Sequence, residues 1–394
     1  MRKIVFCFIC LFLACSSVSA LELDFNSKNV ILYNYNTDQV IYEKDADEVI
    51  SIASMTKIVT ALVLIENIDD LNTQLVLTQE HFAGLKEAYA SLAGFRLGQK
   101  VTYEDLLHGI LIPSGAEAVQ ALAIEVFGSN EALVEKMNFR VKEMGLKDTH
   151  FINPFGLDAE GHYSTVREVS IFLKEALKND IFKRIYTTRK YLVSDYSITL
   201  YSTIVEPLNM INKTANYIKG SKTGFTGNAG RCLSSLAYDE VNNIYYLMIT
   251  ARAKERVEPV IDAINTYEYL LENYSEHLII EQGKTLKQIK TKYAKETEVG
   301  VVSSSGVSLF LENSLYDNNK ISLQYNVPDK INKVLKKGDK VGTLTVLYDD
   351  EEIKTVDLLV GEDMNFSIFR LFFKTFLPLG LLSLICIFIF KRLK

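Results

Sequence analysis

Ser54-Met55-Thr56-Lys57-Ile58-Val59-Thr60-Ala61-Leu62-Val63-Leu64-Ile65 opens on small and polar residues and turns at once into an almost unbroken apolar run. Over residues 55–65 apolar side chains occupy nearly every face of a helix, the pattern of a helix enclosed in a core rather than laid on a surface. A lysine in that setting is costly. An unpaired buried ammonium costs several kcal/mol, so Lys57 must pair with a neighbour or border a cavity and shed its proton toward neutral pH. Ser54 is the obvious neighbour, because residues three apart on a helix share a face and Ser54 Oγ can then reach Lys57 Nζ. The positive end of the helix dipole beside both groups disfavours an ammonium and favours an alkoxide or oxyanion. A serine so placed can be activated without a histidine. Ser54 also fits as the N-cap of a core helix, and a Ser-x-x-Lys string alone does not decide between the two.

Outward from this stretch the chain alternates strands and helices. Residues 30–33 and 39–42 flank an Asn-Thr-Asp turn and read as a hairpin. Helical patterns follow over 55–67, 103–112, 117–127, 130–144 and 165–177; strands return over 217–222, 231–238 and 244–251, before a helix over 257–274. Strands at both ends with helices between predict an α/β protein of the α+β kind: one antiparallel sheet closed by chain ends and covered by helices. From about residue 279 the texture changes to short alternating strands over 299–302, 307–311, 321–327, 341–348 and 353–360, with a turn at Asp349-Asp350-Glu351. That pattern predicts a small β-sandwich. The expected organisation is residues 1–20 as a signal peptide, 21–275 as the first domain, 276–362 as the sandwich and 363–394 as a membrane anchor with a basic tail.

The ends carry the targeting signals. Residues 1–20 join a short basic region to an apolar run and a Val18-Ser19-Ala20 ending, the form of a secretory signal. A lipoprotein box around Cys15 and a retained N-terminal anchor are the competing readings. Residues 376–390 are apolar and lead into Lys391-Arg392-Leu393-Lys394, which reads as a spanning helix or as an amphipathic helix lying in the interface. All these readings place the body outside a cell membrane. The net charge is −6, and the first 20 residues contribute Arg2 and Lys3 without an acid, so the exported part is more acidic still and nucleic acid is an unlikely kind of partner. Of five cysteines only Cys232 lies between the two ends, so no intramolecular disulfide is available there, and Cys232 reads as a small core residue. The five histidines show no metal-ligand spacing, and neither a metal nor another cofactor is called for.

Two further elements belong with the first. An apolar helix broken at Pro113 leads to Ser114 and Gly115 in a turn before the next helix, where Ser114 serves as a cap or a proton relay. Tyr217-Ile218-Lys219-Gly220-Ser221-Lys222-Thr223-Gly224 reads as a strand whose glycines allow close backbone approach, with Lys222 and Thr223 available to a ligand carboxylate. Together, Ser54-Met55-Thr56-Lys57, Pro113-Ser114-Gly115 and Gly220-Ser221-Lys222-Thr223-Gly224-Phe225-Thr226 resemble the motifs of the low-molecular-mass penicillin-binding D-alanyl-D-alanine carboxypeptidases. Thr149-His150-Phe151-Ile152-Asn153-Pro154-Phe155-Gly156-Leu157 and His162-Tyr163-Ser164-Thr165 add to the likeness, which runs over about residues 30–360.

The resemblance implies a β-lactamase/transpeptidase-like domain and a peptidoglycan stem peptide as substrate, with β-lactams as covalent inhibitors. It implies that Ser54 attacks the carbonyl between two terminal D-alanines, that Lys57 accepts its proton, and that Ser114 relays protons. The backbone amides of Ser54 and Phe225 would form the oxyanion hole, and Lys222, Thr223 and Gly224 would line the substrate side, with Arg252 or Arg256 assisting. One position departs from the pattern. Where the family usually has Ser-x-Asn, the third residue here is Ala116, followed by Glu117. Losing that amide costs roughly 1–3 kcal/mol where its partners stay buried, unless Glu117 or water replaces it. A β-lactamase and a non-catalytic peptidoglycan-binding relative impaired at Ala116 are the alternative readings.

Overall fold

A computed structural model describes residues 23–376 and the positions 378, 380, 383 and 385 beyond them. The signal-peptide reading of residues 1–20 and most of the apolar run at 376–390 lie outside the described residues. Among those described, the C-terminal part shows a short helix at Ile368–Leu371 followed by a π-helical turn at Phe372–Phe376, and no helix long and apolar enough to cross a membrane. The described chain divides at Leu270 into two compact units.

The first unit is built on a five-stranded sheet. Strands β1 (Asn29–Asn34) and β2 (Gln39–Lys44) form the expected hairpin, and β1 then pairs antiparallel with the strand Ile244–Ala253. Beyond it follow Gly230–Asp239 and Ile218–Thr226, so the sheet is closed by the two ends of the unit's chain. Every residue of β1 is buried, as expected for an interior strand read as a continuous apolar run. Helix α1 (Lys57–Glu66) is buried at all positions but Glu66, consistent with its apolar surround. Around it pack α2 (Tyr103–Leu111), α3 (Ala116–Phe127) and the helices Asn130–Glu143 and Val166–Ala176. Helix α2 starts on a capping box, in which Asp105 N–H donates to Thr102 Oγ1 at 3.1 Å and Thr102 N–H donates to Asp105 Oδ2 at 2.8 Å.

The sequence places a helix over residues 55–67, whereas Ala53–Thr56 is a 3₁₀ turn and the α-helix begins only at Lys57. Two short antiparallel pairs, Gln74–Val76 with Lys100–Thr102 and Lys190–Leu192 with Thr199–Tyr201, carry too few residues to show a periodic pattern.

The second unit is all-β, with six strands in one sheet and the pair Tyr274–Ile280 and Val307–Glu312 in another. Ile280 and Val307 of the pair share a buried cluster with Leu344, Val346, Val356 and Leu358 of the six-stranded sheet. The expected turn is a two-residue one: Asp349 and Asp350 both hold positive φ, 52° and 66°, between paired Tyr348 and Glu351. The helix expected to reach residue 274 ends at Asn273, because Tyr274 already pairs with Glu312.

Candidate active site

Ser54 stands in the 3₁₀ turn that feeds α1, and the turn is gripped from both sides by backbone. Ala53 takes φ 47°, a left-handed conformation that costs an alanine about 1–2 kcal/mol. Gly156, at φ +80°, passes so close that a Cβ there would lie 2.0 Å from the Ala53 carbonyl oxygen and 2.9 Å from Ser54 N. A Cβ at Gly224 would lie 3.0 Å from Ser54 N. Both glycines are required by close approach, and they bring strand Ile218–Thr226 and the 153–157 turn against the serine. Gly156→Ala is therefore expected to lower unfolding stability by at least about 2 kcal/mol and to slow covalent modification of Ser54. A urea midpoint and an acylation rate both equal to the parent's would refute the grip.

Lys57 is 2% exposed; its Nζ donates to Phe155 O at 2.7 Å and meets Ser54 Oγ at 3.1 Å. Burial pulls its pKa down to about 7, against the opposing pull of the Glu117 charge. As an ammonium, Nζ donates to Ser54; as an amine, it accepts the serine hydroxyl. The Phe155 carbonyl is aimed by an Asx-type turn in which Phe155, Gly156 and Leu157 N–H all donate to Asn153 Oδ1 at 3.1, 2.9 and 3.1 Å. His162 secures the turn between Ser54 and Lys57. Its Nδ1 accepts from Ile152 N–H at 3.2 Å, so the proton sits on Nε2, which donates to Thr56 Oγ1 at 2.9 Å. Burial, with a smaller push from His150, pulls His162 down to about 4 and keeps it neutral. Neither Asn153 nor His162 stood out in the sequence as more than part of the family likeness.

Neither serine is a helix cap. Helix α1 has no side-chain cap bond, and α3 is capped by Gly115 rather than Ser114. Ser114 holds φ 73°, is 4% exposed, and its Oγ is a buried oxygen without a hydrogen-bond partner among the described residues. It lines a cleft of about 300 Å³ together with Ser54, Lys57, Thr223, Gly224 and Phe225. Of the motif residues expected at the site, Lys222 is set back from this lining: it is fully buried and its Nζ donates to Thr223 O at 3.0 Å. Burial first and the Lys57 charge second hold the Lys222 pKa far below the ordinary lysine value. Thr223 Oγ1 donates to Thr203 Oγ1 at 2.6 Å, which brings Thr203, unnoticed in the sequence, into the cleft wall.

The two arginines weighed in the sequence separate. Arg252 pairs with Glu48 away from the lining, and Arg256 pairs with Glu206 while lining the cleft. A third, Arg231, lines the cleft as well and lies 3.6 Å over the ring of Phe225, which is 55% exposed. Cys232, on the same strand, is buried and its thiol is pushed up to about 12, so it is not a nucleophile. Among the described residues no group of histidine, cysteine or carboxylate side chains is placed to hold a metal ion.

A serine bonded to a buried lysine of near-neutral pKa, a second serine facing the same cleft and a Lys-Thr-Gly strand as its opposite wall define a serine hydrolase of the penicillin-binding class. The family model described as D-alanyl-D-alanine carboxypeptidase matches residues 16–253, and the one described as penicillin-binding protein 5, C-terminal domain, matches residues 274–365. The chain belongs to the D-alanyl-D-alanine carboxypeptidase family. It is 31% identical to D-alanyl-D-alanine carboxypeptidase DacF of Bacillus subtilis over 90% of each chain. It is 28% identical to DacC of Escherichia coli over 85% of this chain and 83% of that one. The fold matches penicillin-binding protein 5 of Haemophilus influenzae with a TM-score of 0.66, at 21% identity, over 87% of this chain and 98% of that one. The Streptomyces K15 DD-transpeptidase matches over 63% of this chain and 98% of its own, at 25% identity and a TM-score of 0.57.

Proposed function

We propose that the protein removes the terminal D-alanine from peptidoglycan stem peptides through an acyl-enzyme on Ser54, and that penicillin is trapped at the same oxygen. The observation that carries this reading is the contact of Lys57 Nζ with Ser54 Oγ at 3.1 Å inside a buried site that brings the lysine to about 7. As the free amine, Lys57 takes the Ser54 proton while Oγ bonds to the carbonyl carbon. The Ser54 and Phe225 amides receive the oxyanion, where one donor is typically worth about 3 kcal/mol of barrier. Ser114 passes the proton to the departing D-alanine nitrogen, the C–N bond breaks, and water attacks the ester in the reverse sequence. Thr223 on the cleft wall holds the terminal carboxylate, and Lys222 acts on it from behind.

The signal-like pattern of residues 1–20 and the apolar run with its basic tail support a location outside the cytoplasmic membrane, attached by the C-terminus. The test uses the full-length chain with a D-alanyl-D-alanine peptide. Released D-alanine, and a penicillin adduct mapped by mass spectrometry to the peptide carrying Ser54, are the expected results. A protein that gains no adduct and releases no D-alanine would instead be a binding protein, and one that rapidly opens the lactam in solution a β-lactamase.

A further inference from the structure

Glu117 is a buried carboxylate that the acyl-transfer steps above leave unused. It is fully buried in the first turn of α3, one residue after the Ala116 departure. Its Oε1 accepts three backbone N–H groups in succession, from Ala93 at 2.7 Å, Gly94 at 2.9 Å and Phe95 at 3.3 Å. Its Oε2 is buried without a hydrogen-bond partner among the described residues. The segment it holds is keyed into the same helices at three further points. Ala116 N–H donates to Ser91 O at 2.7 Å. A Cβ on Gly115 would lie 2.5 Å from Ala93 Cβ, and one on Gly109 would lie 2.5 Å from the Phe95 ring. The preceding residues Tyr89, Ala90 and Ser91 form part of the cleft lining, with Tyr89 94% exposed at its rim.

A carboxylate that satisfies a run of three amides fixes the path of a loop more firmly than packing alone, since releasing it strands a buried charge and three donors together. We propose that Glu117 is a positioning residue of this site, which pins the 89–95 wall of the cleft with one oxygen and so holds the setting of Ser54 and Lys57. This inference rests on the acyl-enzyme reading of Ser54 and Lys57 and extends it to the position where the family's amide is missing. The groups around Lys57 are Ser54 Oγ, the Phe155 carbonyl, Glu117 from α3 and Lys222 from the neighbouring strand. The Glu117 charge raises the lysine's proton affinity, as does the Phe155 carbonyl that accepts from Nζ, while a charged Lys222 opposes it. Burial in turn raises the Glu117 pKa, and the three N–H bonds counter that shift.

The test is the rate of acylation by a fluorescent penicillin against pH, with amide hydrogen exchange in parallel, on the full-length chain and on Glu117→Gln and Glu117→Asp. In Glu117→Gln the loss of negative charge lowers the Lys57 pKa further, so the acidic limb of the acylation profile moves to lower pH by about half a unit or more. The second-order rate at neutral pH falls about tenfold, and the amides of residues 93–95 exchange faster. Glu117→Asp, which keeps the charge on a shorter arm, returns the limb toward its original position. A limb that stays in place in Glu117→Gln, or amides at 93–95 that exchange no faster than the parent's, overturns the proposal. Failure of the parent to be acylated at all is a separate outcome and strikes the Ser54 reading, because the exchange arm reads the loop clamp without any acylation.

Discussion

Ser54→Ala is expected to abolish both penicillin capture and D-alanine release while leaving the fold intact. Among the described residues, the serine's one hydrogen bond from a side chain comes from Lys57 Nζ, which also donates to Phe155 O, so removing the hydroxyl leaves the lysine with its shorter bond. A stability change within about 1 kcal/mol follows. Activity, by contrast, loses the atom that forms the covalent bond, and nothing else near Lys57 replaces it unless Ser114 can. Intact-mass measurement after penicillin treatment distinguishes the cases. No adduct is the expected outcome, whereas an adduct mapped to Ser114 would move the nucleophile to the second serine and overturn the assignment of roles.

Lys57→Met is expected to cut acylation by about 10²–10⁴-fold and yet to make the protein more stable at pH 6. The two effects have one cause. A lysine brought from 10.5 to about 7 by burial is held in a place where its charge is unwelcome, and methionine fills the same volume without a charge. Because the folded-state pKa lies below the unfolded one, the unfolded chain binds the extra proton between pH about 7 and 10.5, so parent stability rises with pH across that window. The advantage of Lys57→Met is accordingly largest at and below pH 7, on the order of 2 kcal/mol after allowing for the Phe155 carbonyl it strands, and fades toward pH 10.5. Denaturant melts at pH 6 and pH 9 check this directly: an advantage that grows with pH would show that Lys57 is not a strained buried base. In the parent, the same titration makes acylation rise with pH through about 7, since only the free amine accepts the serine proton.

Much of this site was legible in the sequence because its chemistry is local. A lysine three residues after a serine, inside an apolar helix, implies a depressed pKa before any tertiary contact is known, and Lys57 behaves so. The strand carrying Lys222-Thr223-Gly224 and the helix break at Ser114 were likewise visible from glycine and proline placement. What was not legible depends on residues far apart in the chain. Ala53 can be left-handed only because Gly156 leaves room for its carbonyl, a pairing no periodicity reveals. The role of Asn153 as the acceptor that aims Phe155 O, and of His162 as the neutral donor to Thr56, needs the turn to be folded first. Lys222, read in the sequence as offering its cation to a ligand, is fully buried and bonds the Thr223 carbonyl, an arrangement that depends on the folded strand.

The sheet that closes the first unit also sets an order of events for the newborn chain. β1 pairs with β2 close by in the chain, but its other partner is Ile244–Ala253, and Asn26 and Asp262, whose side chains bond beside it, stand 236 residues apart. Such high contact order makes the closing step late and slow compared with formation of any helix. Until it occurs, Ser54 and Lys57 at the mouth of α1 have no opposite wall, because Thr223 arrives on a strand of the same late hairpin. The half-made chain therefore carries Ser54 and Lys57 without the strand wall of their cleft, which is completed only when Ile218–Thr226 joins the sheet.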